Sequence, residues 1–282
     1  MFRGSWTKAL GTSAVLLAGC HKAPVEAPDE IGELAAYMFE NFDTESGEEL
    51  VAGTATLKKF IRDLDPEEAP LDDRAFSMPP LEESSWGTIT GPKGTDAEMQ
   101  IPIAVVGASS EKLRANRDLM LEKNQVCIES GSTKYYSRSF DEGKDCFASG
   151  ECEYLLTTNE VRKETALAKV WYDLYKDFRT VVLEDDTEVV YSRSWTEESF
   201  LADGGNNTWD QLYTFEAWIP DGGGTTLRFY VIWSEAHIGG VGDDFYADLV
   251  KTGIDEGMLF ADRFANGNKD CGNDRDYAPD RE

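Results

Sequence analysis

The sequence predicts an α+β protein: two N-terminal helices, then a curved antiparallel sheet packed on a long C-terminal helix. Three observations carry that expectation. Apolar residues recur at helical spacing near the start and near the end of the chain. Between residues 126 and 235 they alternate in twos, with β-branched and aromatic residues prominent. The alternating runs are separated by short turns rich in Gly, Asn and Asp, and hairpin-length connections imply antiparallel pairing. With 41% hydrophobic and 29% charged residues among 282, the chain has the material for a core, and wholesale disorder is excluded.

Asp29 is placed to cap the first helix, whose apolar stripe is Ile31, Leu34, Ala35, Met38, Phe39 and Phe42. Ser46-Gly47-Glu48-Glu49 has the capping-box pattern, in which serine and glutamate satisfy each other's free backbone donors. The helix it opens turns Leu50, Leu57, Phe60, Ile61 and Leu64 inward and stops at Asp65-Pro66. Residues 66–96 are rich in proline, acid and serine and read as a connector with a short strand from Trp86 to Thr90. Residues 29–96 therefore form a helical N-terminal region plus connector, with a subdomain boundary after it.

Met99, Ile101, Ile103 and Val105 alternate as a strand, and Gly107-Ala108-Ser109-Ser110 leads into a helix from Glu111 to Lys123. Tyr154 to Val170 fits either helix or strand, with strand favoured. Trp171 to Leu183, Glu188 to Trp195, Leu212 to Ile219 and Leu227 to Trp233 follow as strands. The final helix runs from Asp243 to Ala265, with acids at its positive end, Arg263 at its negative end and Gly267 beyond. Tyr246, Val250, Ile254, Met258, Ala261 and Phe264 form its buried stripe, and Gly253, Gly257 and Ala261 at spacing four let it lie close to the sheet. Residues 97–265 make up this sheet-plus-helix domain, and 266–282 form a polar tail.

The N-terminus carries an address. Arg3 and Lys8 precede a short apolar run, Ala9 to Ala18, which ends in Leu17-Ala18-Gly19-Cys20. The run is too short to span a bilayer, which takes about 20 apolar residues. This leader resembles that of bacterial lipoproteins, in which diacylglycerol is attached to the cysteine sulfur and cleavage falls just before it. The resemblance implies a signal peptide over 1–19, lipidation of Cys20 and a membrane anchor, followed by a Pro-bracketed tether over 20–28. Loss of the leader leaves 25 bases against 54 acids, a charge of −29. His21 follows the cysteine; in enteric lipoproteins an Asp there marks inner-membrane retention, so the outer membrane is favoured.

Cysteine usage agrees with export. Besides Cys20 there are Cys127, Cys146, Cys152 and Cys271, an even number in an oxidising compartment, with three connectivities open. Cys146 and Cys152 flank a five-residue loop that a disulfide can close, which leaves Cys127 to hold Cys271 and the tail. A four-cysteine zinc site would need CxxC-type pairs, and the chain has none.

Fifty-four acids against 27 bases give a net charge of −27, so a phosphate backbone would be repelled and nucleic acid is not an expected partner. Ser109-Ser110-Glu111-Lys112 with Lys251-Thr252-Gly253 matches the SxxK and KTG pair of serine acyl-transfer enzymes, but KTG falls inside the predicted C-terminal helix and no SDN element stands between them. His21 and His237 are the only histidines, and neither HExxH nor GxSxG occurs. The oxygen-rich stretches at Asp203–Asp210, Asp243-Asp244 and Asp270–Asp276 suit turns and solvated tails as well as calcium, and the last lacks EF-hand spacing. No catalytic residue, metal ligand or cofactor is assigned.

The order strand, helix, antiparallel strands, long C-terminal helix resembles the START/polyketide-cyclase (helix-grip) superfamily over residues 97–265, on Ile101 to Ser110 leading into a helix and on the small-residue C-terminal helix. The resemblance implies a sheet gripping the last helix around an apolar cavity, with Trp218, Phe229, Trp233 and Tyr246 as lining candidates, although a filled core is the other fate open to these residues. The expected function is a cell-envelope lipoprotein, non-enzymatic, binding a hydrophobic small molecule or lipid. Two alternatives stand beside it: an interaction or structural lipoprotein with a filled core, and a cyclase- or hydrolase-like enzyme.

Overall fold

The computed structural model describes residues 25–110, 113–165 and 168–268. The leader, Cys20, the start of the tether, Lys112, Cys271 and the tail beyond 268 lie outside the described residues. The architecture is the expected α+β one: helices on both faces of a large, curved, open antiparallel sheet of nine strands.

The strands are β1 (Ala75–Ser77), β2 (Ile103–Ser109), β3 (Thr133–Glu142), β4 (Tyr154–Glu164), β5 (Lys169–Val182), β6 (Glu188–Trp195), β7 (Phe200–Leu201), β8 (Thr208–Gly222) and β9 (Thr225–His237). They pair antiparallel in the order β1-β2-β9-β8-β6-β5-β4-β3, with β7 on β8. The segment open to two readings, Tyr154 to Val170, is strand: β4 and the start of β5. The β8–β9 hairpin turns through Gly222, Gly223 and Gly224, all at positive φ, where a Cβ would be strained.

One face of the sheet is a filled core. Tyr191, Tyr213, Phe215, Phe229, Val231 and Trp233 project from it beneath α1 (Ile31–Glu40) and α2 (Glu48–Asp63). Phe39 of α1 meets Tyr213 and Trp233 edge-on, with ring centroids 6.3 and 5.8 Å away. The Thr54 and Tyr191 hydroxyls, both buried, satisfy each other at 2.6 Å. The connector, which holds the short helix α3 (Leu71–Arg74), lies across the same face: Met78 and Leu81 are buried, and the Trp233 indole N–H donates to the Pro79 carbonyl at 2.9 Å.

Local details depart from expectation for identifiable reasons. The first helix is capped by Glu30, not Asp29, with no side-chain cap bond. At α2 the cap is Gly47 at φ 64°, one residue after Ser46; Ser46 Oγ accepts from the Glu48 N–H at 3.3 Å, and Glu49 accepts from the Thr44 hydroxyl at 2.6 Å. A Cβ on Gly47 would stand 2.8 Å from Arg179 Nη2, so close docking on the sheet sets this turn. Trp86–Thr90 forms no strand; Trp86 packs on the Tyr213 ring, centroids 5.2 Å apart. Residues 97–99 form a 3₁₀ turn capped by Asp96, so β2 begins at Ile103 instead of Met99.

The opposite face carries α6 (Asp243–Ala265), with the bounds expected from its charges and its terminal glycine. It lies on β2, where Ile103 and Val105 pack against Ile254 and Met258. Gly107 makes that approach: a Cβ there would be 2.6 Å from Met258 Sδ. Beside α6 lies α4 (Leu113–Leu121), whose Leu119 joins Ile128 and Ala261. A short helix, α5 (Lys144–Ser149), sits in the loop closed by the Cys146–Cys152 disulfide. Cys127 is also disulfide-bonded, while Cys271, its expected partner, lies outside the described residues.

Candidate ligand-binding cavity

The sheet and α6 touch along β2 and diverge toward β5, leaving a cavity of about 250 Å³. Phe178 and Tyr172 from β5, Trp218 from β8, Tyr230 from β9, Met120 from α4 and Tyr246 and Met258 from α6 contribute to its wall. Gly253 and Gly257 of α6 also line it, so the small-residue stripe faces empty space where a larger side chain would fill it.

Two of the four aromatic candidates, Trp218 and Tyr246, line the cavity; Phe229 and Trp233 do not. Those two are buried in the filled core on the other face. The reason is a register shift between Pro220 and Gly222. The turn pairs Gly222 with Thr225, and continuing that register would set Trp218 opposite Phe229; the extra residue, Asp221, sets it opposite Arg228 instead. Arg228, Tyr230 and Ile232 thereby share the Trp218 face.

The same face carries charge that the sequence reading passed over. Arg138, Lys176, Glu216 and Arg228 all line the cavity and are 2%, 7%, 4% and 6% exposed. Lys176 and Glu216 form an ion pair. Arg228 reaches the same carboxylate only at 3.9 Å and lies 4.9 Å over the Trp218 ring. Arg138 donates to Asn159 Oδ1 at 2.9 Å and to the Met120 carbonyl at 2.5 Å. Burial pulls the Arg228 pKa down, opposed by Glu216, Asp262 and Glu129. Burial likewise raises Tyr172, Tyr230 and Tyr246, so these phenols stay protonated and serve as hydrogen-bonding groups. Tyr246 Oη is held 3.0 Å from Ser234 Oγ and accepts from the Trp209 indole N–H at 3.3 Å.

A separate cluster stands outside the cavity. Among the described residues, Asp210, Glu235 and His237 bring one potential metal-ligand atom each within 4.8 Å of one another. His237 Nε2 is 3.2 Å from Glu235 Oε1 and 3.3 Å from Asp210 Oδ2, and Gln211 donates to the other Glu235 oxygen at 2.8 Å. A second bulge in β8, between Trp209 and Gln211, puts Asp210 outside the regular ladder. Ser109 and Ser110 both hydrogen-bond to Asp262, and Lys251-Thr252-Gly253 lies within α6, which removes the strand that a KTG element requires.

No protein-family model and no curated protein matches the chain. Similar solved structures include the lipid transfer and protein localization domain of human StarD13, at 9% identity and TM-score 0.39, covering 60% of this chain and 79% of that one. They include a STAR-related lipid transfer protein from Xanthomonas axonopodis, at 8% identity and TM-score 0.43, covering 62% of this chain and 89% of that one. The Zhui aromatase/cyclase from Streptomyces sp. R1128 matches at 8% identity and TM-score 0.38, covering 60% and 93%.

Proposed function

We propose that the protein is a lipid-anchored envelope protein that binds a hydrophobic small molecule between its sheet and α6. The observation that carries this reading is the cavity of about 250 Å³, walled by Tyr172, Phe178, Trp218 and Met258 and separate from the filled core on the other face. Buried aromatic and methionine side chains with a few polar groups are the usual make-up of a small-molecule site. The location rests on Leu17-Ala18-Gly19-Cys20, with the outer membrane favoured by His21. In the same reading Cys127 pairs with Cys271 and ties the tail to the body.

The test is intact mass spectrometry, native and then denaturing, of the full chain made with its own leader in a Gram-negative host. The expected mass starts at acylated Cys20 and lacks four hydrogens for two disulfides, with a small-molecule adduct that is lost on denaturation. A chain that retains Met1 and free thiols overturns the envelope placement. A chain that stays empty after exposure to hydrophobic ligands overturns the binding role.

A further inference from the structure

We infer that the ligand of this cavity is an amphiphile with an anionic head group, received by Arg228 with Lys176 beside it and its apolar chain lying along α6. The inference rests on the binding role proposed above and adds the chemical class of the ligand.

The first observation is an unpaired donor. Arg228 Nη1 is buried without a hydrogen-bond partner among the described residues. Other buried side-chain nitrogens and oxygens lack partners too, on Arg179 and Arg193 for example, but those residues do not line the cavity. A buried guanidinium donor left unsatisfied is costly, because water has been removed and nothing replaces it.

The second observation is charge balance. The cavity wall holds Arg138, Lys163, Lys176 and Arg228 against Glu129 and Glu216; with Asp262, whose charge also acts on Arg228, four cations face three carboxylates, an excess of one positive charge. Glu216 is shared, since Lys176 pairs with it and Arg228 Nη2 stands 3.9 Å away, beyond hydrogen-bond reach. Arg138 is solvated by neutral partners, Asn159 and the Met120 carbonyl, so its charge is not cancelled. The chain as a whole has a net charge of −27, so a positive interior is the reverse of its overall balance. Uncompensated charge away from water is unfavourable, and a bound anion offsets it.

The third observation is the arrangement of the two ligand halves. Arg228 lines the cavity and lies over Trp218 at 4.9 Å, a contact that engages the face of the guanidinium and none of its N–H donors. Other parts of the wall are apolar, through Ile254 of α6, Val170 of β5 and Leu212 of β8, and Gly253 and Gly257 leave room for a chain.

The test is titration calorimetry on the full chain in phosphatidylcholine nanodiscs, with empty nanodiscs as blank, using dodecanol, dodecanoate and dodecyl phosphate. At least one anion is expected to bind about tenfold or more tightly than dodecanol. The two anions distinguish a carboxylate head from a phosphate head. Arg228→Gln is expected to bring both anions to the affinity of dodecanol and to leave dodecanol unchanged. Equal affinities for all three probes in the unsubstituted protein overturn the anionic head group while leaving a hydrophobic site. No binding of any probe overturns the site itself. The comparison of probes needs no substitution, so it decides the matter even where Arg228→Gln fails to fold.

Discussion

Trp218 and Arg228 stand directly opposite each other on β8 and β9, the guanidinium 4.9 Å over the indole ring. Their neighbour Phe229, one residue on, is buried on the other side of the same sheet. One strand therefore serves two layers, a filled core and a cavity, and substitutions at adjacent positions must have different consequences.

Phe229→Ala removes a ring that is 1% exposed and packed in the filled core, and a loss of about 3–5 kcal/mol is expected in denaturant unfolding. Trp218 is 5% exposed and clusters with Phe178 and Val190 as well as lining the cavity, so Trp218→Ala should lower both stability and ligand affinity, whereas Phe229→Ala should lower stability alone. Binding intact in a folded Trp218→Ala variant would show that Trp218 does not contact the ligand.

Gly253 gives the complementary experiment. It lines the cavity, and a Cβ built on it meets nothing within 4 Å. Gly253→Leu should fill the cavity and abolish binding, while the helix gains about 1 kcal/mol from loss of a mid-helix glycine. The expected pair of results is a higher melting temperature and no calorimetric signal with ligand. Retained binding at full affinity would move the ligand elsewhere.

How far the sequence reveals this site depends on which physical signal each residue leaves. The α6 span and its stripe were legible because charge at both ends, a terminal glycine and a 3.6-residue period agree. Tyr246 came with that stripe. The N-terminal helices were legible for the same reason, although their caps were not, since docking against Arg179 sets the turn at Gly47. The faces of β8 and β9 were not legible. A single extra residue at Asp221 reverses the side chains of β8 from Pro220 back to Gln211 relative to β9, and no local propensity announces a bulge in a glycine-rich turn. Arg228 did leave a signal: it is a lone charge in Leu227-Arg228-Phe229-Tyr230-Val231, a run apolar on both sides of the strand. Such a run belongs to a sheet covered on both faces, where a charge has to meet a partner or a ligand.

Gly107 tests how tightly α6 grips the sheet. A Cβ at this position would fall 2.6 Å from Met258 Sδ, so Gly107→Val should cost about 1–3 kcal/mol by overpacking. Met258→Ala in the same chain frees the space and should restore part of that loss. A double-mutant cycle in urea reads the coupling between the two positions, and additive effects would mean that α6 shifts freely over β2.

Asp177 links stability to pH on the filled face. Burial raises its pKa to about 6, only partly opposed by the Arg193 guanidinium 3.3 Å away and reinforced by the Asp43 and Asp141 carboxylates. From the ordinary value of 3.8 up to about 6, the folded chain holds a proton that the unfolded chain has released. This group therefore contributes stability that declines as pH rises through that window and is gone above it, by up to about 3 kcal/mol at 1.36 kcal/mol per pKa unit. Asp177→Asn imitates the protonated carboxyl at every pH, and Asp43 still pairs with Arg193 in that variant. The expected result is a higher melting temperature than the unsubstituted protein at pH 7.5 and a difference that shrinks toward zero at pH 4. Thermal unfolding of the two proteins across this range isolates Asp177 from the other carboxylates. A variant less stable at pH 7.5 would mean that the ionised Asp177–Arg193 pair is worth more than its burial costs.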